Sequence, residues 1–269
     1  MYQIDPPLSP KVTLPTMYDL PSENPEEPGL PDQFHVFQPQ LLTDTFCPPK
    51  YNWQEIFTGT DINLYYDLRH TSWYKRPDWF AVLGVPYLYE NRDLRLSYVV
   101  WQEAVNPYIV IELLSPGTEK EDLGQSLRDS EKPPGKWQVY EQILRVPYYA
   151  IFDRYQSKFR MFKLNGGIFT EIELVDDRFW IPGLELGLGV WIGNYKGVTM
   201  PWLRWYDQNG NWILTSIEKE RQNTELERQK AELERQKAEL ERQKAELERQ
   251  KTERLIAQLK SLGIEPDLE

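Results

Sequence analysis

Two acidic residues stand beside or inside apolar stretches of this sequence. Asp78 lies in the segment Arg76-Pro-Asp-Trp-Phe80, and Glu112 lies in the apolar run Tyr108-Ile-Val-Ile-Glu-Leu-Leu114. Desolvating an unpaired charge is so costly that carboxylates inside such runs are paired or bind a metal. Two carboxylates on neighbouring strands can hold a divalent cation. This pattern indicates a hydrolytic enzyme and, more specifically, a nuclease.

The chemistry of phosphodiester hydrolysis explains why these residue types matter. The reaction requires a positioned water, neutralisation of the phosphate charge and stabilisation of the leaving oxygen, and Mg²⁺ held by two carboxylates can supply most of this. Mg²⁺ prefers oxygen ligands at about 2.0–2.1 Å and keeps several waters, so one or two protein carboxylates are enough. Asp78 and Glu112 fit if their strands lie side by side, and a nearby lysine would orient the attacking water.

The surrounding pattern predicts the elements that would position these acids. Strand-like runs cover residues 62–68, 79–85, 96–101 and 108–114, and the last is continuously apolar around its acid, as in a strand buried on both faces of an α/β sheet. A short helix is predicted over residues 32–45 and another from Lys136 to Leu144, where Val146-Pro147 ends it. Residues 158–164 and 168–174 are predicted to form a hairpin around Asn165-Gly166.

These motifs resemble a known superfamily. Pro77-Asp78, followed by a strand that carries Glu112, is similar to the PD-(D/E)XK nucleases. More narrowly, roughly residues 33–195 resemble the bacterial Uma-two family of putative restriction endonucleases. The motifs that carry this resemblance are Arg76-Pro-Asp78, Ile111-Glu-Leu-Leu-Ser-Pro-Gly-Thr118, Asp122, Lys136-x-x-x-Tyr140 and Val146-Pro-Tyr-Tyr149.

The resemblance implies a fold and a set of site residues. The fold would be α/β and restriction-endonuclease-like, with a mixed central sheet of four or five strands flanked by helices. Asp78 and Glu112 would bind Mg²⁺ or Mn²⁺, with the backbone carbonyl of Leu113 as a further metal ligand. Lys136 would be the catalytic lysine that assists water attack, because the narrower family commonly supplies its lysine from the following helix. DNA would be the substrate.

The sequence departs from the pattern of these families at two points. Leu114 stands where the superfamily has its strand lysine, and the interval between Asp122 and Lys136 is longer than in the narrower family. Because of these departures, Lys120 and Lys132 also stay open as candidates for the catalytic lysine, although they are weaker candidates than Lys136.

Other polar and aromatic residues have structural interpretations. Ser115-Pro116 and Thr118 are expected to end a strand and turn the chain rather than act as nucleophiles. His35 and His70 have no partner at metal-ligand spacing, so both are interpreted as structural. The tryptophans are expected in the core.

Composition limits the partners of the chain. Its formal charge is −11; residues 216–269 hold 14 acidic and 12 basic residues, a net of −2, so residues 1–215 carry −9. An acidic body repels nucleic acid at long range, but a metal neutralises site carboxylates and a local basic groove can coexist with an acidic remainder. Cys47 is the only cysteine, which excludes an internal disulfide and a cysteine metal cluster.

The predicted location is cytoplasmic, without a membrane partner. A chain with no possible internal disulfide fits a reducing compartment. The first residues lack the pattern of a signal peptide, and no apolar stretch approaches the ~20 residues that span a bilayer.

Three regions differ in composition. Residues 1–33, rich in Pro, Glu and Asp, are interpreted as a loosely ordered N-terminal arm, residues 34–215 as the restriction-endonuclease-like domain, and residues 216–269 as a long charged helix that ends near Gly263. In this helix the unit Glu-Leu-Glu-Arg-Gln-Lys-Ala recurs every seven residues, as in a coiled coil. Only one position per heptad is leucine, so two interpretations stay open: weak self-association into a homo-oligomer, or a solvated helix without a partner.

The leading hypothesis is a Mg²⁺-dependent DNA endonuclease. The alternative is a catalytically degenerate nuclease fold that acts as a binding or assembly protein through its C-terminal helix. The acidic body, the repeat and the missing strand lysine favour that alternative. A third hypothesis, a metal-dependent hydrolase of another phosphodiester, uses the same residues.

Overall fold

The computed structural model of the protein describes residues 32–115, 122–124 and 133–261. The chain divides into two units between Ile213 and Leu214. In the described residues the first unit contains the strands and the second contains one long helix. The predicted N-terminal arm, residues 1–33, lies outside the described residues except for its last two.

The described residues form four α-helices and twelve strands. The helices are α1 (Gln33–Thr45), α2 (Val100–Glu103), α3 (Lys136–Gln138) and α4 (Ser216–Ser261), with a 3-10 turn at Trp53–Glu55 and a π-helical turn at Val139–Ile143. The strands are β1 (Ile56–Gly59), β2 (Leu64–Tyr65), β3 (Tyr74–Lys75), β4 (Trp79–Leu83), β5 (Tyr98–Val99), β6 (Ile109–Leu113), β7 (Tyr148–Asp153), β8 (Lys158–Asn165), β9 (Ile168–Ile172), β10 (Arg178–Ile181), β11 (Leu186–Tyr195) and β12 (Val198–Tyr206).

A mixed sheet forms the centre of the first unit. Its strand order is β1-β4-β6-β7-β8-β9, and β6 and β7 run parallel while the other neighbours run antiparallel. The predicted mixed α/β architecture with a long C-terminal helix is therefore confirmed, with six strands in the central sheet where four or five were expected. Two smaller sheets have the orders β10-β11-β12 and β3-β2-β5.

The two central strands β4 and β6 are buried along their whole length, and their side chains alternate between two cores. Trp79 and Ile111 belong to the core that also contains residues of α1, β11 and β12. Val110 belongs to the other core, together with Tyr140 of the π-helical turn. Because successive side chains of a strand point to opposite faces, Glu112 shares the face of Val110. This alternation directs its carboxylate toward the π-helical turn.

The predicted helix over residues 32–45 is confirmed as α1. The Asp32 side chain caps its first turn by accepting a hydrogen bond from the backbone N–H of His35. Gln38, which is fully buried, bonds to both backbone groups of Leu203 in β12, at 2.8 and 2.9 Å. These bonds fix α1 against the sheet β10-β11-β12 and thereby position the start of the helix.

Two predicted strands are shorter than expected. The run over residues 62–68 forms only β2, and the run over 96–101 forms β5 and passes at once into α2. Leu96 is 95% exposed, so apolar residues in this segment do not mark a buried strand. The hairpin predicted around Asn165-Gly166 is confirmed as β8 and β9.

The helix predicted from Lys136 to Leu144 is present but irregular. Only its first turn is α-helical, and in the wider turn that follows the backbone N–H of Leu144 donates to the carbonyl of Val139 at 2.8 Å. Such π-helical turns occur frequently at functional sites.

Helix α4 makes up most of the second unit. Its N-terminus carries a capping box, in which the Thr215 hydroxyl accepts from the backbone N–H of Glu218 and the Glu218 carboxylate accepts from that of Thr215. The predicted end near Gly263 lies outside the described residues. Among the residues with described structure, no helix combines the length and the apolar composition required to cross a membrane.

Candidate active site

The two predicted metal-binding acids lie next to each other. Strands β4 and β6 pair with Trp79 opposite Ile111, which places the residue before β4 beside the end of β6. The backbone N–H of Leu113 donates to Asp78 Oδ2 at 2.7 Å, and the backbone N–H of Asp78 lies 3.4 Å from Glu112 Oε2. The predicted convergence of Asp78 and Glu112 is therefore present in the structure.

Glu112 is fully buried and its two carboxylate oxygens have different partners. Tyr140 donates its hydroxyl hydrogen to Oε1 at 2.8 Å, and Lys136 Nζ lies 3.0 Å from Oε2. Burial raises the pKa of Glu112 well above its usual value, and the neighbouring carboxylates of Asp122 and Asp78 raise it further against the opposing effects of Lys136 and Tyr140. The site therefore favours an additional positive charge near Glu112.

Lys136 reaches the site from the first turn of α3. Its Nζ also lies 2.9 Å from Asp122 Oδ1, and its side chain is only 17% exposed. Burial lowers the pKa of Lys136, but the fields of Glu112, Asp122 and Asp78 outweigh this and hold the pKa well above its ordinary range. The ammonium group is thus charged and shared between two buried carboxylates.

Asp122 is a site residue whose role the motif did not disclose. It is fully buried, and its backbone carbonyl accepts a hydrogen bond from the Tyr149 hydroxyl at 3.0 Å. Its place in the family motif was the one signal in the sequence that could have identified it. The other lysine candidates, Lys120 and Lys132, lie outside the described residues.

His35 is the second residue that sequence reasoning missed. Its Nδ1 lies 2.8 Å from Asp32 Oδ1, and its Nε2 lies 3.3 Å from the Leu113 carbonyl oxygen and 3.1 Å from Ser115 Oγ. The hydrogen bond with Asp32 and the charges of Asp32 and Asp78 raise the pKa of His35, although burial, the largest single influence, lowers it. The histidine interpreted as structural thus borders the predicted metal ligands.

His70 differs from His35 in its surroundings. Its ring stacks on Trp73 at 3.8 Å between centroids and bonds to Asp67 at 2.8 Å, in an exposed loop. These contacts agree with the structural interpretation of His70.

A cleft of about 920 Å³ opens onto these residues. Its lining includes His35, Asp78, Leu113, Ser115 and Lys136, whereas the fully buried Glu112 contacts Asp78 and Lys136 of that lining. Charged residues and tyrosines also line it: Lys75, Arg76, Arg95, Tyr74, Tyr87, Asp44 and Asp61. The walls of the cleft therefore carry both signs of charge.

The donor set fits a hard divalent cation better than a soft one. Within residues 32–115, 122–124 and 133–261, no three His, Cys, Asp or Glu side chains form a ready metal cluster. The available oxygen donors are the carboxylates of Asp78 and Glu112 and the carbonyl of Leu113, which suits Mg²⁺ or Mn²⁺ with water completing the coordination. Three carboxylates, counting Asp122, face one ammonium group, so a cation would offset the excess negative charge.

A comparison with models of protein families agrees with the motif pattern. The family model Uma2, described as putative restriction endonuclease, matches residues 14–194. A solved crystal structure of a putative nuclease belonging to DUF820 from Anabaena variabilis ATCC 29413 is similar to 58% of this chain and 76% of that chain, at 10% sequence identity and a TM-score of 0.40. The comparison with curated proteins gives no match.

Proposed function

Because the chain belongs to the Uma2 family of putative restriction endonucleases, we propose that it is a metal-dependent endonuclease that hydrolyses phosphodiester bonds of DNA. One observation carries the proposal: Asp78 and Lys136, from separate segments, line one cleft, and both lie beside the buried carboxylate of Glu112. Two carboxylates that can hold a divalent cation, beside a charged amine, are suited to phosphodiester hydrolysis.

In this proposal Asp78, Glu112 and the carbonyl of Leu113 hold Mg²⁺ or Mn²⁺. The bound ion would supply an activated water and would neutralise the scissile phosphate. Tyr140 fixes the Glu112 carboxylate through Oε1, which leaves Oε2 directed toward Lys136 and Asp78. Glu112 is thus oriented by a group that takes no part in the chemistry, as is common around metal ligands.

Lys136 has two roles in the same proposal. Its ammonium group offsets the charge of Glu112 and Asp122 while the cleft is empty of substrate. When a phosphate enters, the same group donates hydrogen bonds to the attacking water and to the phosphate, and Asp122 keeps it in place.

The wall of the cleft supplies contacts for the rest of the substrate. Lys75 and Arg76 line it, and Arg76 pairs with Asp61 at 2.8 Å, so its charge is partly offset. Tyr74 and Tyr87 are 44% and 48% exposed there and present aromatic faces. This mixed surface supports close contact with nucleic acid rather than strong attraction from a distance.

The proposed function is tested by incubating the full chain with supercoiled plasmid in Mg²⁺, in Mn²⁺ and in EDTA. We expect nicking or linearisation in either metal, none in EDTA, and recovery when metal is added back. Parallel reactions with single-stranded DNA and with RNA identify the preferred polymer. Metal-independent cleavage, or no cleavage of any of these substrates, would contradict the proposal.

A second prediction concerns His35 as a positioning residue. Replacement of His35 by Ala should weaken Mn²⁺ binding by about 10–100-fold, the usual effect of removing a group that supports metal ligands. The physical reason is that His35 links the Asp32 carboxylate to the carbonyl of Leu113. Calorimetric titration with Mn²⁺ measures the affinity, and a thermal melt reports any general loss of stability.

The chain provides its own control for this experiment, because His70 is its only other histidine. His70→Ala should bind Mn²⁺ as the wild type does, since the His70 ring bonds to Asp67 and stacks on Trp73 in an exposed loop. Equal Mn²⁺ affinities of the two variants would show that His35 does not position the site.

A further inference from the structure

Helix α4 exposes a row of leucines at regular spacing along its length. No residue of its described length is buried, and four leucines spaced seven residues apart are each about half exposed, at 48–54%: Leu226, Leu233, Leu240 and Leu247. A helix without buried residues gains little stability from tertiary packing. A row of leucines along such a helix is therefore a candidate contact surface.

The charges beside the leucines select one heptad register. With leucine at position a, position d is glutamine in four successive heptads, position e is lysine and position g is glutamate. The d residues are Gln229, Gln236, Gln243 and Gln250; the e residues are Lys230, Lys237, Lys244 and Lys251; and the g residues are Glu225, Glu232, Glu239 and Glu246. In coiled coils, oppositely charged e and g positions determine partner choice and orientation.

From this pattern we propose that α4 forms a parallel two-stranded coiled coil with α4 of a second copy of the chain. In a parallel pair, position g of one helix lies beside position e of the next heptad of the other, so Glu225 would face Lys230 of the second copy. The same match repeats for Glu232 with Lys237, Glu239 with Lys244 and Glu246 with Lys251. An antiparallel pair would place g beside g and e beside e, which brings like charges together.

Two further features agree with this register. If leucine occupied position d instead, lysine would occupy position a in four successive heptads, where a row of buried ammonium groups opposes association. In the chosen register each d glutamine donates to the g glutamate four residues earlier, as from Gln229 to Glu225 at 3.1 Å and from Gln250 to Glu246 at 3.2 Å. Positions a and d form the seam between the two helices, so the glutamines at the d positions of the seam have hydrogen-bond partners.

Glutamine at every d position makes the association weak and concentration-dependent. Half of the seam is apolar, whereas a strong coiled coil has two apolar positions per heptad. The complementary charges therefore decide whether pairing occurs, and this dependence makes the proposal testable by charge exchange.

The experiment compares the full chain with two charge-exchanged variants by light scattering and sedimentation. The first carries Lys at all four g positions (Glu225→Lys, Glu232→Lys, Glu239→Lys and Glu246→Lys). The second carries Glu at all four e positions (Lys230→Glu, Lys237→Glu, Lys244→Glu and Lys251→Glu). We expect the wild type to rise from 32.0 kDa to twice that mass with increasing concentration. Each variant alone should remain a monomer, and their equimolar mixture should form a heterodimer.

A matched control changes the same charges away from the seam. Glu227→Lys, Glu234→Lys, Glu241→Lys and Glu248→Lys alter position b, and this variant should dimerise as the wild type does. Circular dichroism checks that each variant keeps its helix. For orientation, Gln229→Cys in a Cys47→Ser background should form a disulfide between two copies on oxidation, because equal d positions meet only in a parallel pair. A wild type that stays monomeric to high micromolar concentration, or variants that fail to associate when mixed, would overturn the proposal.

Discussion

Replacement of Glu112 by Gln is expected to lower the rate of plasmid cleavage by at least about a hundredfold, since even groups that only support a metal ligand contribute about 10–100-fold. The amide has nearly the shape of the carboxylate and can still accept the hydrogen bond from Tyr140, but it lacks the negative charge that attracts a cation. Calorimetry with Mn²⁺ should show a matching loss of affinity. Initial cleavage rates at saturating metal separate weaker metal binding from a slower chemical step.

A second buried carboxylate serves as the control for Glu112. Glu141 is 7% exposed and accepts hydrogen bonds from the backbone N–H of Phe169 at 2.7 Å and from Trp137 Nε1 at 3.3 Å, outside the cleft. Glu141→Gln should reduce stability yet cleave DNA at the wild-type rate. If Glu112→Gln also cleaved at that rate, the assignment of Glu112 to the site would fail.

Replacement of Lys136 by Met should destabilise the fold by about 3–5 kcal/mol, the cost of removing one partner from a buried ion pair. Glu112 and Asp122 would lose the ammonium group that lies 3.0 and 2.9 Å from their oxygens, and both carboxylates are buried. Urea unfolding measures the change. Mg²⁺ or Mn²⁺ should restore part of the lost stability, because a ligand that binds only the folded chain stabilises it.

Two further substitutions test whether the effect of Lys136→Met comes from the loss of this particular buried charge. Lys158→Met removes an exposed lysine at the start of β8 and should change stability by no more than about 0.5 kcal/mol. Lys136→Arg keeps the charge but changes the donor geometry, so it should recover much of the stability without recovering cleavage. Equal stability of Lys136→Met and Lys158→Met would refute the ion-pair argument.

The two acids could be singled out from the sequence because their signals are local: Asp78 precedes an apolar stretch, and Glu112 interrupts an apolar run. Lys136 could be singled out only through the family resemblance, because a lysine at the start of a helix is by itself an ordinary surface pattern. The pairing of β4 with β6 then brings the segments together. The placement of His35 could not be predicted in this way, because its contact with Leu113 spans 78 positions of sequence and depends on how α1 packs.

The lengths of two short strands, and the π-helical turn, could not be predicted from the sequence either. Residues 62–68 and 96–101 have the composition of strands, but only two residues of each run pair in a sheet. Strand propensity reflects packing against neighbours rather than an intrinsic backbone preference, so a run at the periphery of the fold gives a misleading signal. The π-helical turn was likewise invisible, because its apolar spacing resembles that of an ordinary helix.

The parallel pairing of β6 with β7 has a consequence for how this sequence tolerates insertions. Two adjacent parallel strands cannot be joined by a tight turn, so the chain must leave one end of the sheet and return to the other. Asp122, Lys136 and Tyr140 all lie between these two strands in the sequence. Lys136 contacts both Asp122 and Glu112, and Tyr140 donates to Glu112. Lengthening a flexible loop between two anchored ends costs only about 0.6 kcal/mol for each doubling of its length. An insertion between Asp122 and Lys136 should therefore be tolerated while the amine stays within reach of both carboxylates.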